Sequence, residues 1–130
     1  MSSFLLPADE LEYAVLTELW ELGRASVRDV YARLGQDRLA YTTIATVIDR
    51  LRGKGLIQRE RDGKAFVYVA KVPRQKVERA RAEHAVRRLL GPAPHAAVAS
   101  LVDAVDAVDP ELLSALERAV AAHRRAKRGT

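Results

Sequence analysis

Between Tyr41 and Gly55 the chain reads Tyr-Thr-Thr-Ile-Ala-Thr-Val-Ile-Asp-Arg-Leu-Arg-Gly-Lys-Gly, and no other stretch limits the fold so strongly. Ile44, Val47, Ile48 and Leu51 recur at i, i+3, i+4 and i+7, the spacing of one apolar stripe on a helix that has to pack against something. The opposite side is chemically unusual: Thr42, Thr43 and Thr46 fill the first turn and a half, and Arg50 and Arg52 follow. A solvated helix face is ordinarily filled with strong helix formers, and each threonine costs roughly a few tenths of a kcal/mol in a helix. A threonine face therefore predicts a surface meant to touch another molecule. A threonine hydroxyl bonds a base edge or a phosphate, and its methyl meets the methyl of thymine, so small residues at a helix N-terminus suit a major groove. The stretch reads as a recognition helix.

With 130 residues and 48% apolar side chains, the chain has enough to bury a core in one ordinary domain or two small ones. It has no apolar run long enough to cross a membrane, and its opening Met-Ser-Ser-Phe-Leu-Leu-Pro is too short for a signal peptide. A soluble, cytoplasmic protein with no membrane partner is expected. No cysteine is present, which excludes disulfides, thiolate metal clusters and a cysteine nucleophile. The net charge of +5 and a pI near 9.9 favour an anionic partner. The sequence carries no phosphate-cradling glycine loop, no nucleophile elbow and no histidine pair at i, i+4; His84, His95 and His123 are scattered. The expectation is a protein that is not an enzyme and that uses no metal or cofactor.

In chain order, Asp9 to Leu22 reads as a helix with Leu11, Val15, Leu19 and Leu22 on one face and Tyr13, Leu16 and Trp20 on another, stopped by Gly23. Trp20 is expected in the core. Ser26 stands three residues before Asp29, a capping-box variant, and opens a short helix through Val27, Val30, Tyr31 and Leu34 that ends at Gly35. A polar connection at residues 36–38 then leads into the recognition stretch, giving helix-turn-helix spacing. Leu56 to Arg61 and Ala65 to Ala70 flank Asp62-Gly63-Lys64, which predicts a hairpin with a type I′ turn. Ile57, Phe66 and Tyr68 are candidates to cover the helices, while Arg59, Arg61 and Lys64 gather near the turn. Lysine and arginine at a hairpin tip also serve to guard a sheet edge. Beside a threonine-faced helix ending in Arg50, Arg52 and Lys54, they read as a phosphate-contacting wing.

Trp20, Tyr41-Thr42-Thr43-Ile44, Thr46, Arg50-Leu51, Lys54-Gly55-Leu56-Ile57, Asp62-Gly63-Lys64 and Tyr68, taken together, resemble the penicillinase-repressor family (BlaI/MecI type) of bacterial transcriptional regulators, over nearly the whole chain. The resemblance implies a dimeric repressor of the antibiotic-resistance-regulator kind, acting on inverted-repeat operators with the third helix in the major groove and the wing on the backbone. By match to the motif, the readout positions fall on Thr42, Thr43, Thr46 and Arg50. In relatives a sensor protease induces by cutting an Asn-Phe bond in the dimerisation half; Ser100-Leu101 holds that place here. Either a different pair fits the same cleft or the signal comes by another route. The C-terminal cysteine motif of copper-responsive relatives is missing.

Beyond Pro73 a charged helix is expected from Arg74 to Leu90, with Ala82, Ala85, Val86 and Leu89 on one face, closed by Gly91-Pro92-Ala93-Pro94. Val98, Leu101, Val102 and Val105 form a further stripe. Asp109, Pro110 and Glu111 read as N-cap, N1 and first-turn acid of a last helix carrying Leu112, Leu113, Leu116, Ala119 and Val120, with a basic end at Arg124, Arg125, Lys127 and Arg128. A segment this short cannot close a core around so many stripes, so pairing with a second copy is expected. The fold class expected is mainly α with a small antiparallel β wing: a winged helix-turn-helix over residues 1–72 and a three-helix dimerisation domain over 73–130. The function expected is sequence-specific repression as a homodimer on double-stranded operator DNA, relieved by loss of dimerisation or by proteolysis. The alternative is a winged helix used for protein contact or for weakly specific, architectural DNA binding.

Overall fold

The structure, a computed structural model, describes residues 3–35 and 39–129. The connection expected at residues 36–38 lies outside them. The first helix, α1 (Glu10–Leu22), starts at Asp9, whose backbone is extended and whose side-chain carboxylate accepts the Glu12 N–H at 2.8 Å. It stops at Gly23, where a φ of 78° lets the amide turn back to the Leu19 carbonyl at 2.9 Å. Helix α2 (Val27–Leu34) opens on the Ser26–Asp29 capping box, with reciprocal bonds of 2.9 and 3.1 Å. The Ser26 backbone N–H, and after it the Ser26 hydroxyl, hold the Asp29 carboxyl below its usual range. Helix α3 (Tyr41–Gly53) completes the helix-turn-helix.

The core forms where these helices face one another. Val15, Leu16 and Leu19 of α1, Val30 of α2, and Ile44, Val47, Ile48 and Leu51 of α3 are buried together with Leu56, Ile57, Val72 and Val77. The stripe read from the sequence is thus the wall on which the rest packs. Trp20 is half-buried against this core; its indole N–H donates to the Val72 carbonyl at 3.0 Å, and its ring meets that of Tyr13 edge-on at 6.3 Å.

Strands β1 (Ile57–Asp62) and β2 (Ala65–Ala70) pair antiparallel from Ile57↔Ala70 to Asp62↔Ala65. That register makes Gly63 and Lys64 the two loop residues. Gly63 has a φ of 63° and no residue other than glycine has positive φ among those described, so the turn follows the II′ pattern, with glycine at its first central position. The type I′ expectation, centred on Asp62-Gly63, is corrected: pairing extends one residue further along β1 and puts Asp62 in the strand. A second correction concerns Phe66, which is 40% exposed and does not cover the helices; Val67, on the other strand face, is buried instead. Tyr68 does pack on the core, and it exchanges backbone hydrogen bonds of 3.1 and 2.7 Å with Ala25, which adds a one-residue third strand before α2.

Helix α4 (Arg74–Leu90) begins within this unit, with Val77 fully buried. The Tyr13 hydroxyl donates to Glu78, and Arg81 sits over the Tyr13 ring at 3.7 Å while also reaching Glu78 at 3.2 Å. The Tyr13 hydrogen bond, ahead of Arg81 and against partial desolvation, holds the Glu78 carboxyl below its usual range. Contacts divide the chain into two compact units, Met1–Ala82 and Glu83–Thr130. In the second, α5 (Pro94–Val108) and α6 (Pro110–Arg128) pack on one another. Asp109 ends the one and caps the other, accepting the Glu111 N–H at 3.0 Å, and Pro94 and Pro110 sit in first turns where no N–H is needed. No described residue from 83 onward is buried. No helix among the described residues is long and apolar enough to cross a membrane.

Truncating Ile48, which is 1% exposed, to alanine is expected to lower stability by about 2–4 kcal/mol in urea unfolding. Glu78→Gln tests the α1–α4 latch. Because the folded carboxyl titrates below its ordinary 4.5, its stabilisation is complete above that value and disappears as pH falls through the lower folded one. Wild type is expected to melt above the variant at neutral pH, with the gap closing in acid.

Candidate nucleic-acid interface

Once α3 commits Ile44, Val47, Ile48 and Leu51 to the core, helical geometry decides what faces outward. Thr42, Thr46 and Arg50 are exposed and Thr43 is half-buried at the edge of the stripe. Together they line a shallow recess of about 280 Å³, shared with Asp9, Leu11 and Val47. The Thr46 hydroxyl donates to the Thr42 carbonyl one turn back at 2.9 Å. Its proton is thereby engaged, so Thr46 offers the outside its methyl and its oxygen lone pairs. Thr42 and Thr43 have no such internal bond among those described. The residue before α3, Ala40, has no side chain able to cap, so the first-turn amides are left without a side-chain acceptor from that position.

Of the cations expected at this surface, Arg50, Arg59, Arg61 and Lys64 are exposed, and none of them pairs with a carboxylate among the described residues. Arg52 is exposed as well but bonds Asp49 one turn back at 3.1 Å. Arg59 and Arg61 stand two residues apart on β1 and so lie on one strand face, with Phe66 directly across from Arg61. Both guanidinium groups stand over the Phe66 ring, at 4.1 and 5.3 Å from its centre. Lys64 occupies the turn itself.

Lys54 behaves differently from the rest. Its ammonium pairs with Glu12 and reaches the Leu6 carbonyl at 3.4 Å, and its side chain is only 19% exposed. Glu12 is 3% exposed and is the buried charged residue of the core, also accepting the Ala8 N–H at 3.2 Å. Lys54 is therefore the counter-ion that allows Glu12 to be buried, and the structure directs it away from the outer surface where the sequence reading had put it. Asp9 was missed in the other direction. It was read as a helix start, and it also brings a carboxylate to the edge of the threonine recess. Local sequence signals only the cap; the proximity to Thr42 is tertiary.

In the second unit Val98, Leu101, Val102, Leu112 and Val120 are exposed, while Val105, Leu113 and Leu116 are half-buried where α5 meets α6. An apolar groove of about 650 Å³ runs along Val102, Leu113, Leu116 and Val120 and ends at Arg124, Arg125 and Arg128. Ser100 and Leu101 lie exposed in the middle of α5, in regular helix. No cluster of histidine and carboxylate side chains able to hold a metal occurs among the described residues.

The model of the family described as Penicillinase repressor matches residues 9–122. An uncharacterized 16.5 kDa protein from the ptsI 3′ region of Latilactobacillus sakei is 31% identical over 93 residues, covering 71% of this chain and 64% of that protein. Transcriptional regulator BlaI of Mycobacterium tuberculosis is 43% identical over 61 residues, covering 45% of this chain and 44% of its own length. The chain thus spans less than two thirds of the length of these curated relatives. Among solved structures, Bordetella bronchiseptica BpsR superposes with a TM-score of 0.49 at 24% identity, over 75% of this chain and 74% of that one. A MarR family protein from Bacillus stearothermophilus gives 0.47 at 20% identity, over 94% and 76%.

The placement of Lys54 yields a stability test. Lys54→Met leaves a buried carboxylate without its counter-ion and is expected to cost about 2–3 kcal/mol in urea unfolding. Arg50→Met, at an exposed position without an ion pair, is expected to stay within about 0.5 kcal/mol of wild type.

Proposed function

The chain belongs to the penicillinase repressor family of transcriptional regulators, and from that premise we propose that it is a sequence-specific DNA-binding repressor. It acts as a homodimer on inverted-repeat operators, reading base edges with Thr42, Thr43, Thr46 and Arg50 and gripping phosphates with Arg52, Arg59, Arg61 and Lys64. The observation that carries this reading is the division of α3 into a wholly buried apolar side and an outer side of threonines and an arginine without a carboxylate partner. An outer face with that composition has no packing role, and it matches the donors, acceptors and methyls of a major groove.

Residues 1–72 are proposed as the DNA-binding part and residues 73–130 as the dimerisation part, with the buried Val77 fastening the first turns of α4 to the winged helix. The apolar groove and the exposed Val98, Leu101, Val102, Leu112 and Val120 support a second copy as their cover. One half-site buries little surface, whereas two tethered copies gain an effective concentration that raises affinity by roughly 10² to 10⁴. Derepression then follows from loss of the dimer. Proteolysis near Ser100-Leu101 is one route. Because that bond lies within α5, a sensor protease has to unwind the helix locally to fit the bond in an extended cleft.

Footprinting on the DNA around the protein's own gene is expected to protect an inverted repeat with half-sites about one helical turn apart. Protection without sequence preference supports an architectural binder instead, and no protection supports a protein-contact module. Within the footprint, Thr46 is expected to act through its methyl: Thr46→Val retains base preference, while Thr46→Ser relaxes it by about 1–2 kcal/mol at one position. Sedimentation at micromolar concentration is expected to give a dimer, and a monomer at all concentrations removes the two-fold reading.

A further inference from the structure

We propose that Phe66 is a positioning residue of the wing, one that holds Arg59 and Arg61 together in a phosphate-gripping pose without itself touching nucleic acid. The proposal rests on the wing reading given above and assigns a task to a residue which that reading leaves idle. Phe66 is a large aromatic side chain that stays 40% exposed although it lies next to Val67, which is buried. The aromatic contact between wing and core is made by Tyr68, which is also anchored through its backbone to Ala25. Packing therefore gives no reason for an aromatic ring at position 66.

The guanidinium groups supply one. Arg59 and Arg61 are like charges on the same face of one strand, and left alone they would repel and spread into solvent. The ring of Phe66, paired directly with Arg61 and diagonal to Arg59, presents a negative π face to both, at 4.1 and 5.3 Å. Arginine is among the side chains that lose most rotamer freedom when fixed, so holding two of them beforehand removes part of the ordering cost of binding. A guanidinium lying over a ring still has its in-plane N–H groups at the edge, free to fork onto phosphate oxygens. A carboxylate would hold the arginines equally well but would cancel the charge that phosphate needs; neither arginine pairs with one among the described residues.

The test uses the full chain and a short DNA duplex of arbitrary sequence at fixed salt, with Phe66→Leu, Phe66→Trp, the double variant Arg59→Ala/Arg61→Ala, and the triple combination of that pair with Phe66→Leu. Leucine keeps apolar bulk on the strand and discards the π face, while tryptophan keeps and strengthens it. Phe66→Leu is expected to bind about five- to tenfold more weakly, Phe66→Trp within about twofold of wild type, and both to melt with wild type, since the ring is outside the core. In the background lacking both arginines, Phe66→Leu is expected to have no further effect, because a residue that acts through others loses its effect when they are gone. Undiminished binding by Phe66→Leu overturns the proposal, and so does an equal loss in the arginine-free background, which makes the ring a direct contact. If the double variant binds as well as wild type, the wing reading itself fails and takes the proposal with it.

Discussion

The structure depends first on the burial of a single stripe, Ile44, Val47, Ile48 and Leu51, against the inner sides of α1 and α2. Each such side chain contributes about 1.5–3 kcal/mol when taken out of water, so together they amount to a large part of the 5–15 kcal/mol that typically holds a small domain folded. That scale explains why α3 can give its remaining surface to threonines. Their weak helix propensity, roughly a few tenths of a kcal/mol each, is small beside the packing on the other side. Had the helix been held only by propensity and surface ion pairs, an outer face of three threonines and no first-turn acid would not stay helical. The apolar stripe permits the outer face, and on the proposed reading that outer face is what DNA meets.

Apolar packing is poor at setting rotation, because a stripe accepts small turns about the helix axis with little change in area. The Glu12–Lys54 pair adds the direction that packing lacks. It joins the first turn of α1 to the residue that caps the C-terminal end of α3, and Lys54 also meets the backbone of Leu6 while its own carbonyl accepts the Leu5 N–H at 2.9 Å. A carboxylate as buried as Glu12 is costly unless satisfied, and here it has both an ammonium and the Ala8 amide. No buried polar side-chain atom lacks a partner among the described residues. Such a pair need not add net stability, but removing one partner is severe, which makes it a lock rather than a source of strength.

What was legible in the sequence is what short-range rules decide. The α3 stripe, the Ser26–Asp29 box, the Asp109-Pro110-Glu111 start of α6 and the existence of the hairpin all follow from spacings of a few residues, and each appears where the spacing puts it. The misreadings arise where tertiary placement, rather than a local rule, decides. Lys54 looked like a free cation because its partner Glu12 lies 42 residues earlier. The turn was centred one residue early because Asp-Gly is a strong local signal, whereas the register is fixed by Ile57 and Tyr68 meeting the core and Ala25. Phe66 was assigned inward on hydrophobicity alone; it shares its strand face with Ile57 and Tyr68, which do meet the core, but its pairing with Arg61 next to the turn leaves it exposed toward the hairpin tip.

The two units pose opposite physical problems. The first closes a core in which many side chains are wholly removed from water, while the second leaves Val98, Leu112, Val120 and even Leu101 and Val102 in contact with it. A helix pair with no buried residue recovers too little hydrophobic free energy to offset the ordering of its backbone. On the proposed reading its order and its assembly are therefore one equilibrium: the second copy that covers the groove also stabilises the helices that present it. Any event that favours the unpaired state, whether dilution, a charge introduced beside Leu116 or a cut in α5, then acts on the DNA-binding unit without touching one of its residues. Regulation of this kind needs no bound small molecule, because the free energy that separates the two states is already present in the uncovered apolar face of α5 and α6.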